Sequence, residues 1–311
     1  MEKQKISIVI PCYCEEEVIP LFYNTLINEV LPLLSEVTFE MIFIDDGSKD
    51  GTLKIIKNLS EKDSCIKYLS FSRNFGKEAA IYAGLNYATG DYVALMDVDL
   101  QDPPDLLIPM YEALTTEDYD CVATRRTTRQ GEPSIRTFFA KIFYRLINKI
   151  SQTEIVDGAR DFRLMKRPMV EAILSVGEYN RFSKGIFEWV GFNTKWIAFE
   201  NVERVAGKSK WSFWGLFLYS LEGIISFSTA PLAIASVTGF IFFVLSFLAI
   251  VVIIIREILW HGSAFGWPSL VCIIFFIGGI QLFCIGILGQ YMARTYLETK
   301  KRPIYIVKEH N

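Results

Sequence analysis

Short apolar runs alternate with longer amphipathic stretches along the first 125 positions of the chain. The runs are continuous, as in strands buried on both faces of a sheet, and the stretches between them have helical spacing. A repeated strand–helix order predicts a doubly wound α/β sheet that is mostly parallel and Rossmann-like. The predicted strands are residues 6–10, 39–44, 66–71, 92–96 and 120–123, and the predicted helices are residues 15–34, 51–60, 77–88 and 104–114.

The last third of the chain has a different pattern. Residues 231–255 and 258–292 contain no Asp, Glu, Lys or Arg. Each stretch exceeds the roughly 20 residues that a helix needs to cross a bilayer. We therefore predict a domain over residues 1–205, a juxtamembrane amphipathic helix over 206–229, and two transmembrane helices, about 231–255 and 268–292, within 230–311.

Charge on either side of these two stretches predicts their orientation. The connection 256–268 carries one Arg and one Glu, whereas the C-terminal tail is rich in Lys and Arg. Because basic segments stay in the cytoplasm, both termini and the first domain are expected there. The start of the chain lacks the pattern of a signal peptide.

Composition argues against some classes of function, and the pattern of residues 134–150 allows two interpretations. The formal net charge is −3, which argues against a nucleic-acid-binding protein. The six cysteines have no metal-ligand spacing, so we interpret them as reduced thiols. Residues 134–150 are amphipathic with a basic polar side, which is typical either of a core helix or of a helix on a membrane surface.

Acidic clusters follow three of the predicted strands. Glu15 lies beyond the first, Asp45 and Asp46 end the second, and Asp97 and Asp99 follow the fourth. Because the carboxyl ends of parallel strands share one edge of a sheet, these clusters should converge on one cleft. An isolated Asp-x-Asp also occurs in polar turns that cap helices. Three converging clusters instead favour a divalent metal that carries a diphosphate.

These motifs resemble those of family 2 glycosyltransferases with a GT-A fold. The motifs are Pro-x-Tyr-x-Glu at 11–15, Asp-Asp-Gly-Ser at 45–48 and Asp-x-Asp-x-Gln-Asp-Pro-Pro at 97–104. The segments 161–165 and 204–210, with the two apolar stretches, narrow the resemblance to polyprenyl-phosphate hexosyltransferases. This group includes dolichyl-phosphate mannose synthases and the bacterial bactoprenol (undecaprenyl-phosphate) glucosyltransferases. Position 14 is Cys where that family often has Asn.

The resemblance implies a role for each matching residue. Asp97, Asp99 and Gln101 would hold Mg²⁺ or Mn²⁺. Arg125 and Arg136 would bind the acceptor phosphate. The nucleotide sugar would contact Pro11, Tyr13, Glu15, Asp45, Asp46, Asp97, Gln101, Arg204 and Lys210.

Asp161 and Asp99 are the expected catalytic residues, and the role of Asp161 stays open. The family pattern marks Asp161 as a candidate base. A phosphate acceptor has a second pKa of about 6, however, and needs little deprotonation. Asp161 could instead orient a sugar hydroxyl or pair with Arg163.

The reaction implied by the resemblance is inverting transfer of a hexose to undecaprenyl phosphate at the cytoplasmic membrane face. The expected donor is UDP-glucose, and the expected assembly is a homo-oligomer. Donors such as GDP-mannose, UDP-N-acetylhexosamine or UDP-aminoarabinose are alternatives. Two alternatives belong to other classes of protein. One is a processive synthase or export component, which the absence of a Gln-x-x-Arg-Trp motif disfavours, and the other is a non-catalytic membrane scaffold.

Overall fold

The computed structural model describes residues 3–127, 156, 158–200, 225, 228–260 and 266–311. The chain divides into two compact units. One comprises Met1–Gly223 with Pro303–Asn311, and the other comprises Ile224–Arg302. The amphipathic segment 134–150 lies outside the described residues, and the predicted juxtamembrane helix 206–229 lies almost wholly outside them.

The first unit is a mixed α/β structure. Its elements before the tail are β1 (Lys5–Cys12), α1 (Ile19–Thr25), β2 (Thr38–Asp45), α2 (Thr52–Lys62), β3 (Ile66–Phe71), α3 (Lys77–Tyr87), β4 (Tyr92–Leu95), α4 (Leu107–Thr116), β5 (Cys121–Arg126), β6 (Ala159–Lys166), α5 (Arg167–Ser175), α6 (Ser183–Trp189) and β7 (Thr194–Phe199).

Eight strands form one sheet in the order β7-β5-β6-β4-β1-β2-β3-β8, where β8 (Val307–His310) comes from the C-terminal tail. The four central strands β4, β1, β2 and β3 are parallel to one another. Ile8, Val9 and Ile10 of β1 are fully buried, because helices cover both faces of the sheet centre. The predicted mostly parallel, Rossmann-like sheet is confirmed.

The first predicted helix is shorter and less regular than its sequence suggested. The α-helix begins at Ile19 rather than at residue 15, with Pro20 in its first turn. It continues as a π-helical turn over Leu26–Val30 and a 3₁₀ turn over Leu31–Leu34. Proline fits the first turn of a helix but disrupts its interior, and Pro20 and Pro32 lie in the first turns of the α-helix and of the 3₁₀ segment.

Strands β6, β7 and β8 were not predicted. Strand β6 runs antiparallel between β4 and β5, and it carries Asp161. Because its sequence contains several charged residues, it lacks the continuous apolar run that identifies a buried strand. Arg163 in this strand is nonetheless 1% exposed, and its guanidinium lies 3.6 Å from the ring centre of Phe187.

A buried carboxylate joins the amino-terminal ends of the central strands. Glu40 of β2 is 2% exposed and accepts hydrogen bonds from the Ser7 hydroxyl at 2.5 Å and the Thr89 backbone N–H at 2.7 Å. Its other oxygen lies 2.9 Å from Lys5 Nζ and 2.8 Å from Lys67 Nζ. Burial alone would raise the pKa of Glu40, but these hydrogen bonds and ammonium groups hold it well below its usual value.

The C-terminal tail covers the edge of the sheet at β3. Strand β8 pairs antiparallel with β3, with Leu69 opposite His310. The Tyr68 backbone N–H donates to Asn311 Oδ1 at 2.7 Å, and Lys57 pairs with Glu309 at 2.5 Å. These contacts pair backbone N–H and C=O groups of β3 that would otherwise be exposed at the edge of the sheet.

The second unit contains helices α7 (Ala230–Trp260) and α8 (Trp267–Thr299). Among the residues that the structure describes, one helical stretch, Ile273–Thr299, is long and apolar enough to cross a membrane. Ala230–Phe242 is apolar but shorter. The predicted span over residues 231–255 therefore stays a prediction.

Candidate active site

A cavity of about 310 Å³ opens at the carboxyl ends of the central parallel strands. Pockets of this order suit small-molecule ligands, and this edge is where open α/β sheets bind them. The cavity brings together side chains that follow β1, β2, β3 and β4. Its lining is Pro11, Cys12, Tyr13, Glu15, Asp46, Asn74, Gly76, Lys77, Ala80, Asp97, Val98 and Asp99.

The two aspartates at the end of β2 have different surroundings. Asp45 is 1% exposed, and its carboxylate accepts hydrogen bonds from the Ser48 backbone N–H at 3.0 Å and the Ser70 hydroxyl at 2.7 Å. Asp46 faces the cavity, and its carboxylate accepts hydrogen bonds from the backbone N–H groups of Phe75 and Gly76 at 2.7 and 2.9 Å. Asp45 therefore stabilises the turn, and Asp46 fixes the loop that leads into α3.

Gly47 allows that loop to pass close to the turn. Its φ is +66°, and a Cβ built there would lie 2.5 Å from the backbone carbon of Arg73 and 2.8 Å from the backbone nitrogen of Asn74. Helix α3 is also packed tightly, since a Cβ on Gly84 would lie 2.3 Å from Val9 Cγ1. These contacts fix the position of the first residue of α3, Lys77, beside the cavity.

The loop after β1 is held by the turn and by α2. The Cys14 backbone N–H donates to Ser48 Oγ at 2.9 Å, and the Glu15 N–H donates to Thr52 Oγ1 at 2.8 Å. Cys14 has a φ of +54°, in the left-handed region where Asn is enriched. Cys14 therefore occupies a backbone position that also suits Asn.

Asp97 and Asp99 follow β4 and both line the cavity. The chain turns sharply after them, with φ of +55° at Leu100, and Asp99 Oδ1 accepts the Gln101 backbone N–H at 3.2 Å. Two carboxylates at this spacing, with phosphate oxygens and water, make the oxygen-only ligand set that Mg²⁺ takes. Among the described residues there is no group of three or more His, Cys, Asp or Glu side chains arranged to hold a metal.

Lys77 connects the Asp-x-Asp motif to Asp161. Its Nζ lies 2.7 Å from Asp97 Oδ1 and 2.5 Å from Asp161 Oδ2. Burial alone would raise the pKa of Asp161, but Lys77, Lys184 and Arg163 outweigh burial and hold that pKa far below its usual value. Burial alone would lower the pKa of Lys77, and its two carboxylate partners raise it instead. Lys77 and Asp161 are therefore both ionised at neutral pH.

Asp102 forms a second ion pair behind the motif. Its carboxylate lies 2.7 Å from Arg160 Nε and is 4% exposed. Burial raises the pKa of Asp102 to about 6, despite the guanidinium. Strand β6 thus contributes two neighbouring residues, Arg160 and Asp161, that pair with charges near the motif.

The family profile described as "Glycosyl transferase family 2" matches residues 7–174, a segment that contains every carboxylate of the cavity and of the Lys77 bridge. The chain belongs to glycosyl transferase family 2. This glycosyltransferase is 44% identical to the prophage bactoprenol glucosyl transferase homolog of Escherichia coli K12, over 98% of each chain. It is also 44% identical to the bactoprenol glucosyl transferase of Shigella phage SfX, over 98% of this chain and 99% of the relative. The resemblance stated from the sequence is confirmed.

Solved structures show similarity over a large part of the chain. One is glucosyl-3-phosphoglycerate synthase from Mycobacterium tuberculosis in complex with Mn²⁺, uridine-diphosphate-glucose and phosphoglyceric acid. The similar region covers 71% of this glycosyltransferase and 78% of that chain, with 20% identity and a TM-score of 0.46.

The structure brings six of the thirteen site residues predicted from the sequence to one cavity. Pro11, Tyr13, Glu15, Asp46, Asp97 and Asp99 line the cavity. Asp161 contacts it through Lys77, whereas Asp45 and Gln101 are not among the lining residues. Arg125 is exposed in β5. Arg136, Arg204 and Lys210 lie outside the described residues.

Sequence reasoning missed Lys77 and Arg160. A lysine at the first position of a predicted helix is ordinary, and only the fold brings it to Asp161, 84 positions away. One signal was available, since Lys77 follows the third strand at the same sheet edge as the acidic clusters. Basic residues at strand ends can be searched for in the same way as acidic ones.

Proposed function

We propose that this glycosyltransferase moves glucose from UDP-glucose to undecaprenyl phosphate at the cytoplasmic face of the membrane. The observation that carries the proposal is 44% identity, over 98% of this chain, to proteins named bactoprenol glucosyl transferases. That span includes both the cavity domain and the apolar helices. A cavity lined by carboxylates at the nucleotide-binding edge of the sheet supports it independently.

The proposed chemistry is a single displacement. A phosphate oxygen of the lipid forms a bond to the anomeric carbon of the sugar, while the bond from that carbon to the diphosphate oxygen breaks. UDP leaves with the electron pair. Because the nucleophile approaches opposite to the leaving group, an α-linked donor gives a β-linked product.

Mg²⁺ or Mn²⁺ is the proposed cofactor, held by Asp97, Asp99 and Gln101. Carboxylates two residues apart beside the cavity fit such a cation, whose remaining ligands would be diphosphate oxygens and water. When bound, the cation supplies charge stabilisation to the leaving diphosphate. The protein's own contribution is to position the donor, and Tyr13, Glu15 and Asp46 of the cavity lining are proposed to contact the nucleoside.

Asp161 is better suited to positioning than to proton abstraction. Its pKa is held far below the usual value by the Lys77 ammonium at 2.5 Å, which makes it a weak base. The acceptor phosphate, with a second pKa of about 6, is largely ionised at neutral pH and needs no strong base. We therefore assign Asp161 the role of fixing Lys77 beside the reacting groups.

Membrane attachment through two helices is part of the proposal. Helices α7 and α8 contain 31 and 33 residues, and at about 1.5 Å per residue each exceeds the roughly 30 Å hydrocarbon core. Large apolar side chains such as Phe240, Phe275 and Leu282 are more than half exposed, as expected for contact with lipid.

The C-terminal strand supports an even number of crossings. The chain leaves the first unit after Gly223 and rejoins it at Pro303, where the tail leads into β8 on the edge of β3. One hydrogen-bonded sheet cannot have strands on both sides of a bilayer. Both ends of Ile224–Arg302 therefore belong on one side, and α7 and α8 supply two crossings. Cytoplasmic termini follow from the basic tail.

A donor panel tests the proposed substrate. Purified full-length protein, in vesicles that contain undecaprenyl phosphate, is given radiolabelled UDP-glucose, UDP-N-acetylglucosamine or GDP-mannose in separate reactions with Mn²⁺. We expect label in the lipid phase from UDP-glucose, and loss of that signal with EDTA. Preferential transfer from another donor would overturn the assignment of glucose, and no lipid product from any donor would overturn the proposed function.

A further inference from the structure

Lys77 bridges two carboxylates of the site, Asp97 and Asp161. Three separate parts of the fold meet at its ammonium: the first turn of α3, the segment after β4 that carries Asp97, and β6 that carries Asp161. The ammonium lies 2.7 Å from Asp97 and 2.5 Å from Asp161. The Lys77 side chain is 39% exposed and lines the cavity, so a ligand there can reach it.

The position of Lys77 places it in competition with a metal ion. Asp97 is the first carboxylate of the Asp-x-Asp motif, and its Oδ1 already contacts the lysine. A divalent cation bound by the same carboxylate would lie within a few ångströms of the ammonium, where like charges repel. A diphosphate offsets this repulsion, because its negative oxygens attract both the cation and the ammonium.

We propose that Lys77 is the resident counterion of Asp97 and Asp161, and that a divalent cation and a nucleoside diphosphate must enter together to displace it from Asp97. The ammonium then turns to the diphosphate and keeps its contact with Asp161. Lys77 is thus a positioning residue that disfavours binding of the cation alone. This inference rests on the proposed function, since it requires a nucleotide donor that binds with a cation.

The consequence is cooperativity between two ligands. The diphosphate offsets the repulsion between the cation and Lys77, and the cation in turn attracts the diphosphate. Each should therefore raise the affinity of the site for the other by the same factor. Replacing Lys77 by an uncharged residue of similar length removes the competing cation. The affinity for the metal alone should rise, and the coupling factor should fall.

The test measures Mn²⁺ binding to the full-length protein in detergent by electron paramagnetic resonance, with and without UDP. We expect Lys77→Met to bind Mn²⁺ alone at least tenfold more tightly than wild type, and to lose at least tenfold of the coupling with UDP. Lys77→Arg retains the positive charge and should bind Mn²⁺ alone weakly, like wild type. Lys54→Met, which removes an exposed lysine from α2, should match wild type.

The outcomes separate this inference from the proposed function. If wild type binds Mn²⁺ and UDP cooperatively but Lys77→Met binds Mn²⁺ alone no more tightly, the counterion role is wrong and the proposed function stands. A merely structural lysine would give this result, or weaker Mn²⁺ binding. If wild type binds no UDP with Mn²⁺ present, the proposed nucleotide site itself is wrong.

Discussion

Substitution of Gly47 by alanine tests how the turn after β2 positions the active site. Gly47 has a φ of +66°, where a side chain costs roughly 1–2 kcal/mol. Its new Cβ would also meet the Arg73 backbone at 2.5 Å, and overpacking of this kind costs typically ~1–3 kcal/mol. We expect a total loss of about 3 kcal/mol in the free energy of unfolding. For a unit of this size that lowers Tm by roughly 6–12 °C.

The same substitution should weaken nucleotide binding. The displaced loop carries Asn74 and Gly76 into the cavity lining and is bonded to Asp46. A misplacement of about 1 Å in positioning residues can cost on the order of 100-fold in activity. We expect the Kd for UDP, measured by isothermal titration calorimetry with Mn²⁺, to rise at least tenfold.

Gly191→Ala provides a matched control. Gly191 has a φ of +74°, but a Cβ there would meet no atom within 4 Å. This variant should carry only the conformational cost of roughly 1–2 kcal/mol and bind UDP like wild type. The reasoning is refuted if Gly47→Ala binds UDP normally and loses no more stability than Gly191→Ala.

Two further predictions concern stability. Glu40→Gln should lower the free energy of unfolding at pH 7 by about 2 kcal/mol, because two ammonium groups lose their buried partner. The folded-state pKa of Glu40 is depressed, so its stabilisation is fully present above the unfolded value of about 4.5 and is lost progressively as pH falls from that value through the folded-state pKa. Melting curves from pH 7 to 3 should therefore converge for wild type and Glu40→Gln, and a constant difference would contradict this. Deletion of residues 307–311 exposes the edge of β3 and removes the Lys57–Glu309 ion pair. Tm should therefore fall, and the protein should aggregate on heating. An unchanged Tm would show that β8 is not a stable part of the sheet.

The central strands and the acidic residues of the cavity could be predicted because their signals are local. Strands β1 to β4 are nearly continuous apolar runs, and the sheet topology brings their carboxyl ends to one edge. Asp46, Asp97 and Asp99 stand directly at those ends, so their convergence follows from the βα repeat alone.

Other features depend on long-range contacts that no local pattern contains. Strand β6 carries Arg163, whose burial is stabilised by stacking on Phe187 rather than by a hydrophobic side chain of its own. Strand β8 is four residues long and charged, and it is a strand because β3 offers an open edge. The Lys77 bridge forms because β6 places Asp161 beside α3.

The most direct test of the proposed function compares transfer of radiolabelled glucose from UDP-glucose to undecaprenyl phosphate by wild type, Asp99→Asn and Asp105→Asn. Asp99 lines the cavity, whereas Asp105 is an exposed aspartate six residues further along. We predict Mn²⁺-dependent label in the lipid phase for wild type and Asp105→Asn, and at least a 100-fold lower rate for Asp99→Asn. Equal transfer by both variants would contradict the proposed site, and no lipid product from folded wild type would contradict the proposed reaction.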